Sequence, residues 1–330
     1  MRTLAKEHKA TNGVSTQHPG LPGNAADPLP QNPVRRPPTR ALRHRPGAIL
    51  EIGGKRVPFM RWSFIRLLLS MRRLMRVWQV GDGREERLAA YVVQNARQGD
   101  LDDVIRAIDE YCYERSYMIN VGDEKGAILD AAVLRARPAR LLELGTYCGY
   151  SALRMCRVMP DTARLVSIEF NGANAVIAGR ILEHAGVSDR VAVLVGTLGD
   201  GGRTIATLEE EHGFDAGSLD FVFIDHDKSV YVSDLELILD RGWLHPGSVV
   251  LADNVKFPGA PEYRAYLNER QNENWRTVEH KAHLEYQSLL KDLMLESDYL
   301  GGPAHAATGE GVVAGIGGSR PGRSWRGGPA

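Results

Sequence analysis

A doubly wound α/β fold is what this sequence predicts: a mostly parallel, Rossmann-like sheet with helices on both faces and an antiparallel hairpin at one edge. Three observations carry the prediction. Short apolar runs alternate with segments of helical spacing through the second half of the chain, the pattern of strand–helix–strand units. The first run, RLLELG at 140–145, stops at Gly145, passes through Thr146, Tyr147, Cys148 and Gly149, and enters a helical stretch at Tyr150. Two later runs, LDFVFID at 219–225 and SVVLADN at 248–254, end in acids, and in such sheets ligands bind over the carboxyl ends of the strands.

The elements follow in order. Residues 1–58 hold nine of the seventeen prolines and little apolar periodicity, and are expected to be disordered. No apolar stretch follows the N-terminus, so a secretory signal is not expected. Residues 59–80 read as one basic amphipathic helix. Arg61, Arg66, Arg72, Arg73 and Arg76 gather on one side, and Met60, Phe64, Leu67, Leu68, Met71, Leu74, Met75 and Trp78 fill much of the other. Its apolar runs are too short for a membrane span. Two uses stay open for it: a peripheral anchor on anionic lipid, or a helix packed on the domain or on another subunit.

Helices are expected at 84–95, 101–115 and 125–137, with a loop at 119–123. Strands at 140–145, 164–170, 190–196, 219–225 and 248–254 then alternate with helices at 150–159, 174–185, 202–212, 232–241 and 262–271. Strands at 275–280 and 288–297 form the closing antiparallel hairpin. The domain is placed at 81–302, and the glycine-rich stretch 303–330 is expected to be a loose tail.

Composition narrows the function classes. The chain is neutral overall, yet residues 1–79 carry 15 Lys and Arg against 3 Asp and Glu, so the globular part is acidic. An acidic body argues against a nucleic-acid partner. The three cysteines, Cys112, Cys148 and Cys156, are odd in number and include no C-x-x-C pair. They argue against a disulfide framework or a zinc site and fit buried thiols in a reducing, cytoplasmic setting.

The strand ends carry the chemistry. Gly145 and Gly149 make a turn that presents backbone N–H groups and a helix N-terminus to a ligand, with the Glu143 carboxylate beside it. Glu169, 24 residues after Gly145, ends the next strand where an acid can accept both ribose hydroxyls of an adenosine-type cofactor. This pattern fits a dinucleotide and S-adenosylmethionine equally. On the other side, Asp225, Asp253 and the Asn254 amide oxygen would form a hard, all-oxygen cluster suited to Mg²⁺. His226 alone gives little support to zinc. Lys228, three residues past Asp225, is placed to act as a general base if its pKa is brought down. The blander reading is that each of these is an ordinary turn residue or solvated lysine; two acid-ended core strands in one sheet weigh against it.

Six segments together resemble catechol O-methyltransferase: ELGTYCGYSALRM at 143–155, VGDEKG at 121–126, FIDHDK at 223–228, LADN at 251–254, PGAPEY at 258–263 and LEY at 284–286. The order and spacing fit over roughly residues 81–302. The resemblance implies a class I S-adenosylmethionine-dependent methyltransferase fold and Mg²⁺-dependent methyl transfer to one hydroxyl of a catechol. It implies Asp225, Asp253 and Asn254 as metal ligands and Lys228 as base, with Lys228, Asn254 and Glu285 binding the acceptor. It also implies that Val121, Glu143, Gly145, Tyr147, Tyr150 and Ser151 line the methionine end of the cofactor. Glu169 then takes the ribose, and Phe170, His226 and residues 196–199 lie near the adenine, with Asp225 also bordering the cofactor.

This chain departs from the family pattern in places. Asp227 stands where a tryptophan is usual between the His and Lys of FIDHDK. Tyr117 matches a second pocket tryptophan, Ile119 a methionine near the sulfonium and Leu198 a serine of the adenine loop, while Phe257 is larger than usual beside Pro258. The expected acceptor is a catechol, or another vicinal diphenol of caffeoyl or flavonoid type. A nicotinamide-dependent dehydrogenase would share the turn and Glu169 but has no use for the oxygen cluster. A non-catalytic, membrane-tethered cofactor-binding protein would not need Lys228 and Glu285.

Overall fold

A computed structural model describes residues 49–57, 61–77 and 79–302. Most of the tail expected at 1–58, all of that at 303–330, and residues 59, 60 and 78 of the expected helix lie outside the described residues. Within the stretch expected to lack order, β1 (Leu50–Ile52) and β2 (Lys55–Val57) form a short antiparallel hairpin. Its turn is Gly53-Gly54 with both φ angles positive, the geometry that two-residue hairpins need and that glycine adopts freely. The hairpin docks by the Ile49 N–H to the Tyr113 carbonyl and by paired backbone and side-chain bonds between Arg56 and Ser288.

The basic segment is two helices, not one: α1 (Trp62–Leu69) and α2 (Met71–Val77), separated at Ser70, whose φ of −95° and ψ of 10° leave the helical region. Leu67 and Leu74 are buried against Tyr117 and Val80, with Phe64 and Ile119 packed alongside. Packing on the domain is therefore the use the structure gives this segment. Trp62, Leu68, Leu69 and Met71 remain exposed beside Arg66, Arg72 and Arg73. Among the described residues no helix is long and apolar enough to cross a membrane.

Helices α3 (Arg84–Asn95), α4 (Leu101–Glu114) and α5 (Gly122–Ala136) precede the sheet. Asp100 caps α4 by accepting from the Asp103 N–H. The sheet then builds as β3 (Arg140–Leu144), α6 (Tyr150–Val158), β4 (Arg164–Glu169), α7 (Gly172–His184), β5 (Val191–Val195), α8 (Arg203–Glu210), β6 (Leu219–Ile224), α9 (Tyr231–Asp240), β7 (Leu244–Ala252), α10 (Pro261–Glu269), β8 (Trp275–His283) and β9 (Lys291–Tyr299). The strand order is β5-β4-β3-β6-β7-β9-β8. The first five are parallel, and β9 pairs antiparallel with both β7 and β8. The chain starts in the middle at β3, winds outward, then returns to β6. This reversal lies between β3 and β6 and opens the crevice where such folds bind ligands.

Strand parity sorts the core into two layers. Leu141, Leu165, Phe221, Phe223, Val249 and Leu251 pack with the helices α3 to α7 on one face. Leu142, Val166, Val222, Ile224, Val250 and Ala252 pack on the other with α8, α9 and α10. Because successive side chains point to opposite faces, strands covered on both sides read as unbroken apolar runs. Each fully buried leucine, valine or phenylalanine here contributes roughly 1.5–3 kcal/mol.

Candidate active site

The cofactor side is built on the turn after β3. Gly145 has a φ of +104°, and a Cβ there would lie 2.4 Å from the Asp225 carbonyl oxygen. The glycine thus lets the ends of β3 and β6 meet, which brings the cofactor turn against Asp225. Gly149, also at positive φ, opens α6. The Glu143 side chain is fully buried; its Oε2 accepts from the Ser167 hydroxyl and the Ser151 hydroxyl lies beside it. Burial, together with nearby Asp225 and Glu169, pushes the Glu143 carboxyl up to about 7, and its Oε1 is buried without a partner among the described residues. Such an atom is costly unless a ligand donates to it.

Glu169 organises the turn as well as facing it. Its carboxylate accepts from the Tyr147 N–H at 2.8 Å and from the Asn171 N–H at 2.9 Å. Burial raises its pKa, and these N–H bonds oppose the rise. Tyr147, in the left-handed region at φ 48°, sends its hydroxyl to Glu85 at 3.0 Å. Ser151 and Val121 are buried at the N-terminal ends of α6 and α5. Phe170, just past β4, is 43% exposed.

Tyr150 is placed differently from a cofactor-lining side chain. Its ring is in the core, its hydroxyl donates to Asp109 at 2.7 Å, and the Arg154 guanidinium lies over it. What Tyr150 offers the turn is its backbone N–H at the start of α6. Likewise Leu198 is buried among the apolar residues of the second layer. His226 stacks on Tyr231 and pairs through Nε2 with Asp234 at 2.9 Å, while its Nδ1 is buried without a partner among the described residues.

The acceptor side joins three strand ends. Lys228 Nζ donates to Asp225 Oδ1 at 2.9 Å and to the His226 carbonyl at 3.0 Å. Asp253 is fully buried; one oxygen accepts from the Asn254 N–H and the other pairs with Lys125 Nζ at 2.8 Å. Burial and the neighbouring acids raise the pKa of Asp253, against the pull of Lys125. Asn254 sits at φ 54°, a region asparagine tolerates. Its amide NH₂ donates to Asp292 at 2.9 Å, with Glu285 at 3.4 Å. Carboxylates only accept, so the amide oxygen is turned away from both. Glu285 is carried by the loop between β8 and β9. The loop is anchored by Tyr286, whose hydroxyl donates to the same Asp109 that receives Tyr150. Asp227 is exposed and does not enter this cluster: it caps the turn at Lys228–Val230 by accepting from the Ser229 N–H and hydroxyl.

The Asp225–Lys228 pair lies within electrostatic reach of Lys125 and Glu285, which in turn hold Asp253 and Asn254. Among the described residues no three acidic, histidine or cysteine side chains stand as a ready-made metal cage. Two lysines hold the carboxylates instead. Lys125 and Asp292 were not anticipated. Lys125 falls on the core-facing side of α5 with Leu129, Ala132 and Val133, and a lysine at apolar spacing is the signal that would have found it. Asp292 faces inward on β9 in step with Met294.

The profile of the O-methyltransferase family matches residues 99–282. A probable O-methyltransferase of Mycobacterium tuberculosis is 59% identical over 70% of this chain and 99% of that protein. The mouse catechol O-methyltransferase is 41% identical over 65% of this chain and 78% of its own length. A crystal structure of an O-methyltransferase of tomaymycin synthesis from Streptomyces achromogenes aligns at a TM-score of 0.49 and 23% identity, over 60% of this chain and 89% of that one. With the glycine turn, the ribose-side acid and the acidic strand ends in these places, the chain belongs to the O-methyltransferase family, as a catechol O-methyltransferase-like member of the class I S-adenosylmethionine-dependent methyltransferases.

Proposed function

We propose that the acceptor is a catechol or a closely related vicinal diphenol, methylated on one hydroxyl in a Mg²⁺-dependent reaction with Lys228 as general base. The observation that carries this reading is the Asn254 amide. Its NH₂ is committed to Asp292 and Glu285, which leaves the oxygen as the atom of that amide not used by these acids, on the residue that follows Asp253 and donates its N–H to it. Two carboxylates and an amide oxygen form a hard donor set of the kind Mg²⁺ takes through one or two carboxylates plus substrate oxygens. Asp225, Asp253, Glu285 and Asp292 stand against Lys125 and Lys228, which formally leaves two negative charges, those of one divalent cation. When bound, Mg²⁺ would draw two adjacent phenolic oxygens and lower their pKa.

The chain's own residues do the rest. Glu143 and the turn N–H groups hold the methionine end of S-adenosylmethionine, with the orphaned Glu143 Oε1 receiving its amino group. Glu169 takes the ribose. Lys228, an ammonium in the resting charge count, releases a proton to solvent and then accepts the proton of the attacking hydroxyl. The oxygen then bonds to the methyl carbon as the carbon–sulfur bond breaks, releasing S-adenosylhomocysteine. Glu285 accepts from the second hydroxyl and so marks it as the one that does not react. Much of the acceleration in such a displacement comes from alignment of the reacting atoms. A mono-phenol lacks the second oxygen and is a poor acceptor.

The segment 59–80 has a proposed second role at an anionic membrane surface. Exposed Trp62, Leu68, Leu69 and Met71 beside Arg72 and Arg73 favour it. The full chain would then co-sediment with anionic but not neutral vesicles, less so after Trp62→Ser with Leu69→Ser.

The reaction is tested by methyl transfer from labelled S-adenosylmethionine to a small catechol, with Mg²⁺ and then with excess EDTA. Product that disappears with the chelator supports the reading. Turnover that survives EDTA, or that serves mono-phenols equally well, overturns it.

A further inference from the structure

The Lys125 ammonium joins the end of a parallel core strand to the loop and strand of the antiparallel edge. It is fully buried, 2.8 Å from Asp253, 2.8 Å from Glu285 and 3.2 Å from Asp292. Asp253 stands just past β7, in the parallel core. Glu285 belongs to the loop between two antiparallel edge strands. Asp292, the second residue of β9, also receives the Asn254 amide and the Phe257 N–H. The remaining direct side-chain tie between the core strand end and Glu285 is the long Asn254 contact at 3.4 Å.

We infer that Lys125 is the positioning residue for the acceptor, setting the spacing between the metal-side carboxylate Asp253 and the hydroxyl anchor Glu285, and thereby which of two adjacent hydroxyls is methylated. The inference rests on the reading given under Proposed function. On that reading both hydroxyls of a vicinal diphenol would reach the cation, and Glu285 would distinguish them. The oxygen presented to the cofactor therefore depends on where Glu285 stands relative to Asp253. A buried ammonium with three carboxylate partners holds that distance better than a solvated pair, because each acid would be left uncompensated if it moved away. A displacement of about an ångström at a reacting centre is enough to change rates by orders of magnitude.

The same geometry predicts effects of opposite sign that a merely structural lysine would not give. Removing the ammonium makes the cluster more negative, which favours a divalent cation, while releasing Glu285, which disfavours selectivity. The experiment compares the full chain with Lys125→Met and Lys125→Gln, the latter keeping an N–H donor at similar length in case the former does not fold. Mg²⁺ affinity is read by calorimetry in the presence of S-adenosylhomocysteine, the ratio of the two methylated isomers is read from a catechol carrying one ring substituent, and melting temperature reports the fold. Expected is an isomer ratio moving at least about threefold toward parity and an acceptor KM rising about tenfold with a smaller change in kcat, with Mg²⁺ bound as tightly or more tightly. An unchanged isomer ratio in a folded variant, or Mg²⁺ affinity falling in step with turnover, would overturn the inference. If the unmodified chain methylates no diphenol, the reaction itself has been misread, and the sign of the Mg²⁺ change still judges the role of Lys125.

Discussion

The backbone N–H of Tyr147 donates to the Glu169 carboxylate at 2.8 Å, so the acid that ends β4 also holds the glycine turn that follows β3. One side chain thereby sets both walls of the cofactor crevice. Glu169→Gln keeps the shape but replaces one accepting oxygen with a donor that faces an N–H. The expected result is S-adenosylhomocysteine binding weakened about tenfold, near 1.4 kcal/mol, in the range for a hydrogen bond to a charged group. Titration calorimetry checks it.

Glu143 gives the cofactor site a pH dependence. Burial raises its carboxyl to about 7, so in the ligand-free protein it gains charge only as the pH passes that value. A cationic amino group binds the charged form. Affinity for S-adenosylhomocysteine is therefore expected to rise with pH, by at most about tenfold per unit below pH 7 and less above it. Glu143→Gln should flatten this profile and weaken binding at pH 8.

Lys228→Met tests the base. Its loss should lower kcat by about 10²–10⁴-fold, the usual contribution of a positioned base. Cofactor affinity should change much less, because the bonds that hold the glycine turn, from the Tyr147 N–H to Glu169 and from the Ser167 hydroxyl to Glu143, do not involve Lys228. Single-turnover kinetics with prebound cofactor separates the two effects.

Asp109 links stability to pH. Its carboxylate receives the Tyr150 and Tyr286 hydroxyls, and burial raises its pKa from 3.8 to about 6. A carboxyl raised in the folded state contributes stability that is present below about pH 4 and lost as the pH rises through about 6. Asp109→Asn retains an acceptor and does not ionise. Relative to the unmodified protein, its melting temperature should be higher at pH 7 than at pH 4.

Asp227 occupies the place where the family usually has a tryptophan, yet it turns outward to cap a short turn. Asp227→Trp should raise affinity for simple catechols by restoring an aromatic wall, and should cost about 1 kcal/mol of stability through the lost cap. Steady-state KM and thermal melting give the two readings, and an unchanged or larger KM would count against an aromatic wall at this position.

The alternation of strands and helices was legible because strands covered on both faces have continuous apolar runs, as in 140–144 and 219–224. β7 starts earlier than its apolar run because Pro246 and Gly247 read as a turn; they are accommodated where the register against β6 shifts between Leu219 and Phe221. Glu169, Asp225 and Asp253 were legible as strand-end carboxylates, whereas Glu285 came only from the family resemblance and Asp292 from neither. Lys125 was not legible, since a lysine is ordinarily solvated and only its three buried partners, distant in sequence, explain its place. Tyr150 was legible as a turn residue but not as a core ring, because Asp109 and Arg154 that claim its side chain come from other turns of the fold and of its own helix. Tyr117, against which Leu67 and Leu74 pack, likewise lies far along the chain, and no local pattern connects them.

The loop bearing Glu285 hangs from β8 and β9, the two antiparallel strands appended beyond the parallel core, whereas Glu143, Glu169, Asp225 and Asp253 all stand at ends of parallel strands. On the proposed reading, the part of acceptor recognition that Glu285 supplies is thus carried by a piece of chain separate from the donor site, while Lys228 and Asn254 stay with the parallel strands. Insertions or exchanges within 284–290 can retune which molecules are modified while the donor-binding half is passed on unaltered, which makes this edge the place where new chemistry can be acquired at least cost to an existing activity.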